Sequence, residues 1–143
     1  MSEYDSFSMH YDTLMGERDE CVANVRKLLK TYAPNATSVL ELGCGTGSVL
    51  KQLSSTYEVA GVDLSEAMLK AARRKLPGVW LKRQNIARLK VDRRFDVVLC
   101  LFDTINHLLR FEDWKKVFER AHAAVIEEAG TWVRLGGAWV WGC

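Results

Sequence analysis

The chain has 143 residues, 48% of them hydrophobic and 27% charged, with a formal net charge of +2. That length and balance predict one domain over residues 1–143 with a buried core and exclude a disordered or fibrous protein, while a pI of about 8.4 lies below the roughly 9 of a nucleic-acid-binding domain. No run of about eighteen apolar residues is there to span a bilayer and no basic-plus-apolar start resembles a signal peptide, so a cytoplasmic location is expected. Cys21, Cys44, Cys100 and Cys143 are dispersed, without the paired spacing of a disulfide framework or a zinc site, so no metal is expected.

Val22, Val25, Leu28 and Leu29 recur at helical spacing between Asp19 and Tyr32, which predicts an amphipathic helix ended by Pro34 and Asn35. The β-prone run Ser38-Val39-Leu40 then leads into ELGCGTG, Glu41 to Gly47, and Val49, Leu50 and Leu53 suggest a short helix after it. Strand, glycine turn and helix bring backbone N–H groups close to a ligand, and Gly43, Gly45 and Gly47 tolerate positive φ with no Cβ to hold that ligand away. Glu58 to Val62 reads as a second strand ending in Asp63, eighteen positions after Gly45, where a carboxylate can accept hydrogen bonds from ribose hydroxyls. The glycine spacing is not the dinucleotide G-x-G-x-x-G: the third glycine comes one position early, and Ser48 stands where that fingerprint has Gly or Ala. Glu41 beside the glycines would repel a pyrophosphate and suits a cationic ligand.

Ser65 is placed to cap the next helix, in which Glu66 and Lys70 form an i,i+4 pair, and Pro77-Gly78 closes it. Val79-Trp80-Leu81 starts a third strand that ends near Gln84-Asn85-Ile86. Between Lys70 and Arg94 basic residues outnumber acids, but they scatter over a helix, a strand and a loop, which reads as a solvated face and disfavours a nucleic-acid partner. Phe95 to Leu101 is the continuous apolar run of a buried parallel strand. A helix beginning near Glu112-Asp113 is expected to bury Trp114, Val117, Phe118, Ala121 and Val125. Alternating strands and helices predict a doubly wound, mostly parallel α/β sheet with helices on both faces, whose ligands sit at the carboxyl ends of the strands.

These motifs resemble the class I S-adenosylmethionine-dependent methyltransferases, whose (D/E)-x-G-x-G-x-G pattern is matched by Glu41 to Gly47. Tyr4-Asp5-Ser6-Phe7 and Tyr11-Asp12-Thr13-Leu14-Met15 are similar to the lead of the small-molecule members. VDLSEAMLKAARRKLPGV (Val62 to Val79), RRFDVVL (Arg93 to Leu99) and DTINHL (Asp103 to Leu108) follow in the family's order, and Ala71 through Leu108 also looks like the amino-sugar N-methyltransferases. The resemblance implies S-adenosyl-L-methionine as cofactor, with S-adenosyl-L-homocysteine as product. It assigns the methionine end to Glu41, Gly43, Cys44, Gly45 and Gly47, the ribose to Asp63, and a place over the cofactor to Tyr11. Leu64, Met68, Asn85, Ile86 and Phe102 complete the set. Asn85 stands where the family usually has an Asp toward the adenine amino group, and the same residue could simply bond its own loop backbone.

Methyl transfer needs an oriented nucleophile and, for a protonated one, a base. Asp103 and His107, after the fourth strand, are the candidates, although they can equally cap or fill that loop. The family sheet runs 3-2-1-4-5-7-6; this chain is expected to stop at order 3-2-1-4-5, with the fifth strand at Ala138-Trp139-Val140-Trp141 and the family's final hairpin missing. That would leave an edge bearing Trp139 and Trp141, which predicts a homodimer or swapped assembly that covers it. Three functions are compatible with these residues: transfer of a methyl group to a small-molecule amino or hydroxyl acceptor; cofactor binding without catalysis; and a nicotinamide-dependent oxidoreductase fragment, which the glycine spacing and Glu41 disfavour.

Overall fold

The computed structural model describes residues 19–101, 111–125, 131–135 and 138–142, with side chains for 19–101 and 112–125. The elements are α1 (Asp19–Tyr32), β1 (Ser38–Leu42), α2 (Ser48–Leu53), β2 (Glu58–Asp63), α3 (Glu66–Lys75), β3 (Trp80–Arg83), a 3-10 turn (Ile86–Arg88), β4 (Val97–Cys100), α4 (Phe111–Ala124), β5 (Thr131–Leu135) and β6 (Ala138–Gly142). Among the described residues no helix is long and apolar enough to cross a membrane.

Strand residues alternate between the two sheet faces, and this sorts the core into two layers. Val39, Leu81, Val97 and Leu99 pack with Val22, Val25 and Leu29 of α1, Leu50 and Leu53 of α2, and Leu69 and Ala72 of α3. Leu40, Leu42, Ala60, Val62 and Val98 pack on the other face with Ile86 and Leu89 around the 3-10 turn and Val117 and Ala121 of α4. Each fully buried Leu or Val contributes about 1.5–3 kcal/mol, so the two central strands, buried on both faces, anchor the domain. Trp114 and Phe118, expected in the core, are only partly buried against it.

β3, β2, β1 and β4 are parallel neighbours, as the alternating pattern predicted. At the opposite end of the strands from the glycine loop, Asp96 fixes the register of β1 against β4. Its Oδ2 accepts from the backbone N–H and hydroxyl of Thr37 (2.8 and 3.0 Å) and of Ser38 (3.0 and 3.1 Å). Burial is the largest single influence on this carboxyl and raises its pKa, but the four bonds together outweigh it and hold the group below the usual aspartate value.

The remainder of the sheet corrects the expectation. Among the described residues its order is β3-β2-β1-β4-β6-β5, six strands, with β6 antiparallel to both β4 and β5. The strand expected at the edge, around Ala138 to Trp141, is therefore interior among the described residues, and Thr131–Leu135, for which no strand was expected, lies outside it. The antiparallel pairing of β5 with β6 follows from connection length: two residues link them, and so short a link returns the chain antiparallel, whereas a parallel neighbour needs a dozen or more residues. The premise for a homodimer over an unpaired Trp139–Trp141 strand falls with it. Two smaller corrections follow from side-chain reach and strand ends. Glu66 pairs with Arg73, two turns on, rather than with Lys70. The fourth strand is Val97–Cys100, shorter than Phe95–Leu101, because Phe95 makes an isolated bridge to Val125 after α4.

Candidate functional site at the carboxyl ends of the strands

The glycine loop is drawn across the end of β2 by its own backbone. Gly43 N–H and Cys44 N–H both donate to Val62 O, at 2.8 and 3.0 Å. Gly43, Gly45 and Gly47 all have positive φ, 72°, 56° and 78°, a region that costs an L-residue roughly 1–2 kcal/mol. Gly45 N–H then donates to Asp63 Oδ2 at 2.8 Å, while Ser65 N–H donates to Asp63 Oδ1 at 2.9 Å. One carboxylate thus ties the loop after β1 to the turn before α3. Such charge-assisted bonds are the stronger kind, and a carboxylate accepts through about four lone-pair sites, so one oriented by two backbone donors suits ribose hydroxyls.

The two sides of the loop differ. A Cβ on Gly47 would come to 3.0 Å from Leu76 Cδ1 and 3.1 Å from Ala72 Cβ, so this side is packed against α3. Lys75 Nζ holds the same side through Thr46 Oγ1 (3.3 Å) and Ser48 Oγ (3.1 Å). A Cβ on Gly45 would meet nothing within 4 Å among the described residues: its amide is fixed by Asp63, and with respect to those residues its α-carbon faces open space. Glu41 lies behind the loop, 2% exposed. It makes other polar or electrostatic contacts, yet its Oε2 is a buried oxygen with no hydrogen-bond partner among the described residues.

Cys44 is buried, and its thiol is pushed well above the ordinary value, first by burial and then by the negative charges of Glu41 and Asp63. A thiol in that state is a packing group and not a nucleophile. It packs against a residue that sequence reasoning missed. A Cβ on Gly61, in the middle of β2, would fall 2.8 Å from Cys44 Sγ and from Leu50 Cδ1, so only glycine lets the loop sit this low. A glycine inside a strand pattern is the signal that marks such close approach.

Two further walls stand beside Asp63. Leu64 is 52% exposed, and Arg83 Nε donates to its carbonyl oxygen at 2.9 Å. After β3, Gln84 N–H donates to Asp63 O (3.0 Å), and Asn85 caps the 3-10 turn through its side-chain oxygen, which accepts from Ala87 N–H at 2.9 Å. Asn85 therefore does bond its own loop, and Ile86 beside it is 8% exposed. Met68, 2% exposed, lies inside the protein where Ser65 Oγ caps its N–H. The structure thus gathers Glu41, Gly43, Cys44, Gly45, Gly47, Asp63, Leu64, Asn85 and Ile86 at the carboxyl ends of β1, β2 and β3. Tyr11, Phe102, Asp103 and His107 lie outside the described residues, as do Thr104 and Asn106. Of the basic segment, Arg73 and Arg93 have acidic partners, Glu66 and Glu58, the latter at 2.6 Å.

Residues 39–128 match a family model described as a methyltransferase domain. A Geobacillus sp. (strain WCH70) protein named as a methyltransferase is 35% identical over 133 residues, which cover 87% of this chain and 54% of that protein. The dTDP-3-amino-3,6-dideoxy-alpha-D-glucopyranose N,N-dimethyltransferase of Streptomyces fradiae is 34% identical over 107 residues, 74% of this chain and 42% of the relative. Among solved structures, the SAM-bound amino pentose methyltransferase CalS10 from Micromonospora echinaspora superposes with a TM-score of 0.74 at 28% identity, covering 87% of this chain and 62% of that one. The chain spans about half the length of these curated relatives.

Proposed function

Because the chain belongs to the methyltransferase-domain family, we propose that it binds S-adenosylmethionine across the carboxyl ends of β1, β2 and β3 and directs its methyl group to a small-molecule amino acceptor, an amino sugar being the favoured class. The observation that carries the cofactor is the arrangement around Asp63: its carboxylate is held between Gly45 N–H and Ser65 N–H, directly beside the open face of Gly45. Amino-sugar acceptors are supported by relatives named as sugar N,N-dimethyltransferases, of which three are 30–35% identical to this chain. A hydroxyl acceptor is the second chemistry; transfer to oxygen, there with a malonyl group rather than an alcohol, is named for a relative 29% identical, a malonyl-[acyl-carrier protein] O-methyltransferase.

When bound, this cofactor supplies a methyl group on a sulfonium, so transfer asks for orientation and proton removal more than for elaborate machinery. Asp63 receives the ribose hydroxyls. The missing Cβ of Gly45 admits the methionine end, and the negative charge of Glu41 behind the loop favours a cationic ligand over a pyrophosphate. Leu64 and Ile86 offer apolar surface to the base. Asp103 or His107 is the base toward the acceptor amine. The test is calorimetric titration of the chain with S-adenosylhomocysteine, followed by mass-spectrometric detection of methylated product from a panel of amino sugars and hydroxylated analogues. Micromolar binding with methylated amine is the expected result. Binding without turnover would reduce the function to cofactor binding, and a folded chain that binds nothing would refute the reading.

A further inference from the structure

Arg83 and Gln84, consecutive at the end of β3, were not among the residues expected to matter, yet each closes a different loop of the site. Arg83 reaches back to the turn after β2, where its Nε donates to Leu64 O at 2.9 Å. Gln84 turns to the loop that follows it. Its Nε2 donates to Lys90 O and its Oε1 accepts from Lys90 N–H, both at 2.8 Å, so one side-chain amide pairs with both polar groups of one backbone residue, as a neighbouring strand would. Between these two anchors the segment Asn85–Leu89 is held on every side. Asn85 caps Ala87 N–H, Arg88 N–H donates to Asn85 O at 2.9 Å, and Ile86, Ala87 and Leu89 are buried against Leu40, Val62 and α4. Gln84 N–H also donates to Asp63 O at 3.0 Å, which joins this loop to the carboxylate at the centre of the site.

We propose that Arg83 and Gln84 are positioning residues that build, before any ligand arrives, the two walls of the slot for the cofactor's base: Leu64 on one side, and Asn85 with Ile86 on the other. Neither touches the reacting atoms. Successive strand residues project to opposite sides of a sheet, so adjacent positions at one strand end can serve two loops. The physical gain is preorganisation: a loop already fixed in its binding shape loses no further freedom when the ligand enters, and that saving appears as affinity. The leucine wall is otherwise half exposed.

This inference rests on the cofactor reading above, and wild-type binding of S-adenosylhomocysteine separates the two: if the wild type binds nothing, that reading fails before this one is reached. Given wild-type binding, Gln84→Ala and Arg83→Ala are titrated with the same ligand well below their melting temperatures, and amide hydrogen exchange is followed in parallel. Each substitution is expected to raise Kd roughly five- to tenfold, the worth of one or two lost hydrogen bonds. Exchange should accelerate at residues 85–90 for Gln84→Ala and at 64–65 for Arg83→Ala. Arg83→Lys, which keeps a donor for Leu64 O, should recover part of the affinity. Faster local exchange with an unchanged Kd would overturn the proposal, because the loops would then be braced without consequence for the ligand. Failure of Gln84→Ala to fold would likewise overturn it by assigning the clamp to the fold.

Discussion

Replacing Gly61 with alanine tests the packing beneath the glycine loop. The added Cβ would stand 2.8 Å from Cys44 Sγ, 2.8 Å from Leu50 Cδ1 and 2.9 Å from Cys44 Cβ, against the roughly 3.5–4.0 Å of an ordinary contact. Gly61 cannot move aside, since it is paired with Glu41 of β1 on one edge and with Leu81 of β3 on the other. The strain therefore falls on Cys44 and Leu50. Overpacking of this kind costs about 1–3 kcal/mol, offset by about 0.5–1 kcal/mol from the lower backbone entropy of alanine in the unfolded chain. A net loss of about 1–2 kcal/mol lowers the melting temperature by about 3–8 °C in a domain this size. Because Cys44 belongs to the loop, affinity for S-adenosylhomocysteine should fall as well. Cys44→Gly removes two of the three close contacts, so in a double-mutant cycle the pair should be more stable than the sum of the single changes by at least about 0.5 kcal/mol. An unchanged melting temperature for Gly61→Ala, or strict additivity in the cycle, would refute the close-packing argument.

Gly45→Val should behave differently, because no atom of the described residues lies within 4 Å of its Cβ and only its φ of 56° is strained. The variant is expected to fold, by circular dichroism, and to bind S-adenosylhomocysteine at least about a hundredfold more weakly, since its side chain fills the space assigned to the ligand; retained affinity would place the ligand elsewhere. Asp96 has a folded pKa depressed below its unfolded value, so its contribution is fully present above the unfolded value and is lost as pH falls through the lower folded one. Acid denaturation monitored by fluorescence should show that wild-type stability declines across this window more steeply than that of Asp96→Asn. Cys44, with its raised thiol pKa and 6% exposure, should resist iodoacetamide in the folded protein at neutral pH, whereas Cys21, partly exposed on α1, should be modified before it; peptide mass mapping reads the order of these two.

What the sequence discloses here is what local pattern controls. The helix Asp19–Tyr32, the Ser65 cap, the strand ending at Asp63 and the Pro77-Gly78 stop each follow from spacing or from one residue's backbone chemistry, and the structure places them accordingly. The hairpin was also written locally: Gly136-Gly137 between Thr131–Leu135 and Ala138–Gly142 is a two-residue hairpin signal. The family order 3-2-1-4-5 implies a parallel strand at Ala138 to Trp141, whereas the turn chemistry of these two glycines favours an antiparallel pair. Other features are nonlocal and leave no periodic trace. The bond from Gly45 N–H to Asp63 spans eighteen residues, and the Gln84 clamp depends on Lys90 backbone atoms that any residue type would supply.

That first bond changes how the ligand site should be tested. Asp63→Ala would remove the expected ribose acceptor, but it would also release Gly45 and Ser65, so lost binding could reflect a collapsed loop. Asp63→Asn is no cleaner. Its amide oxygen can accept from one of the two backbone N–H groups, while its NH₂ would face the other, setting donor against donor in a partly buried position. Both substitutions confound structure with recognition because one carboxylate serves both. Gly45 is the separable position: its amide contributes to the structure, its α-carbon faces open space, and a side chain there alters the ligand's room without removing a hydrogen bond. Loss of binding in Gly45→Val with exchange protection intact at Gly43–Gly47 would therefore locate the ligand at this face, and the same loss with protection abolished would show that the loop itself had given way.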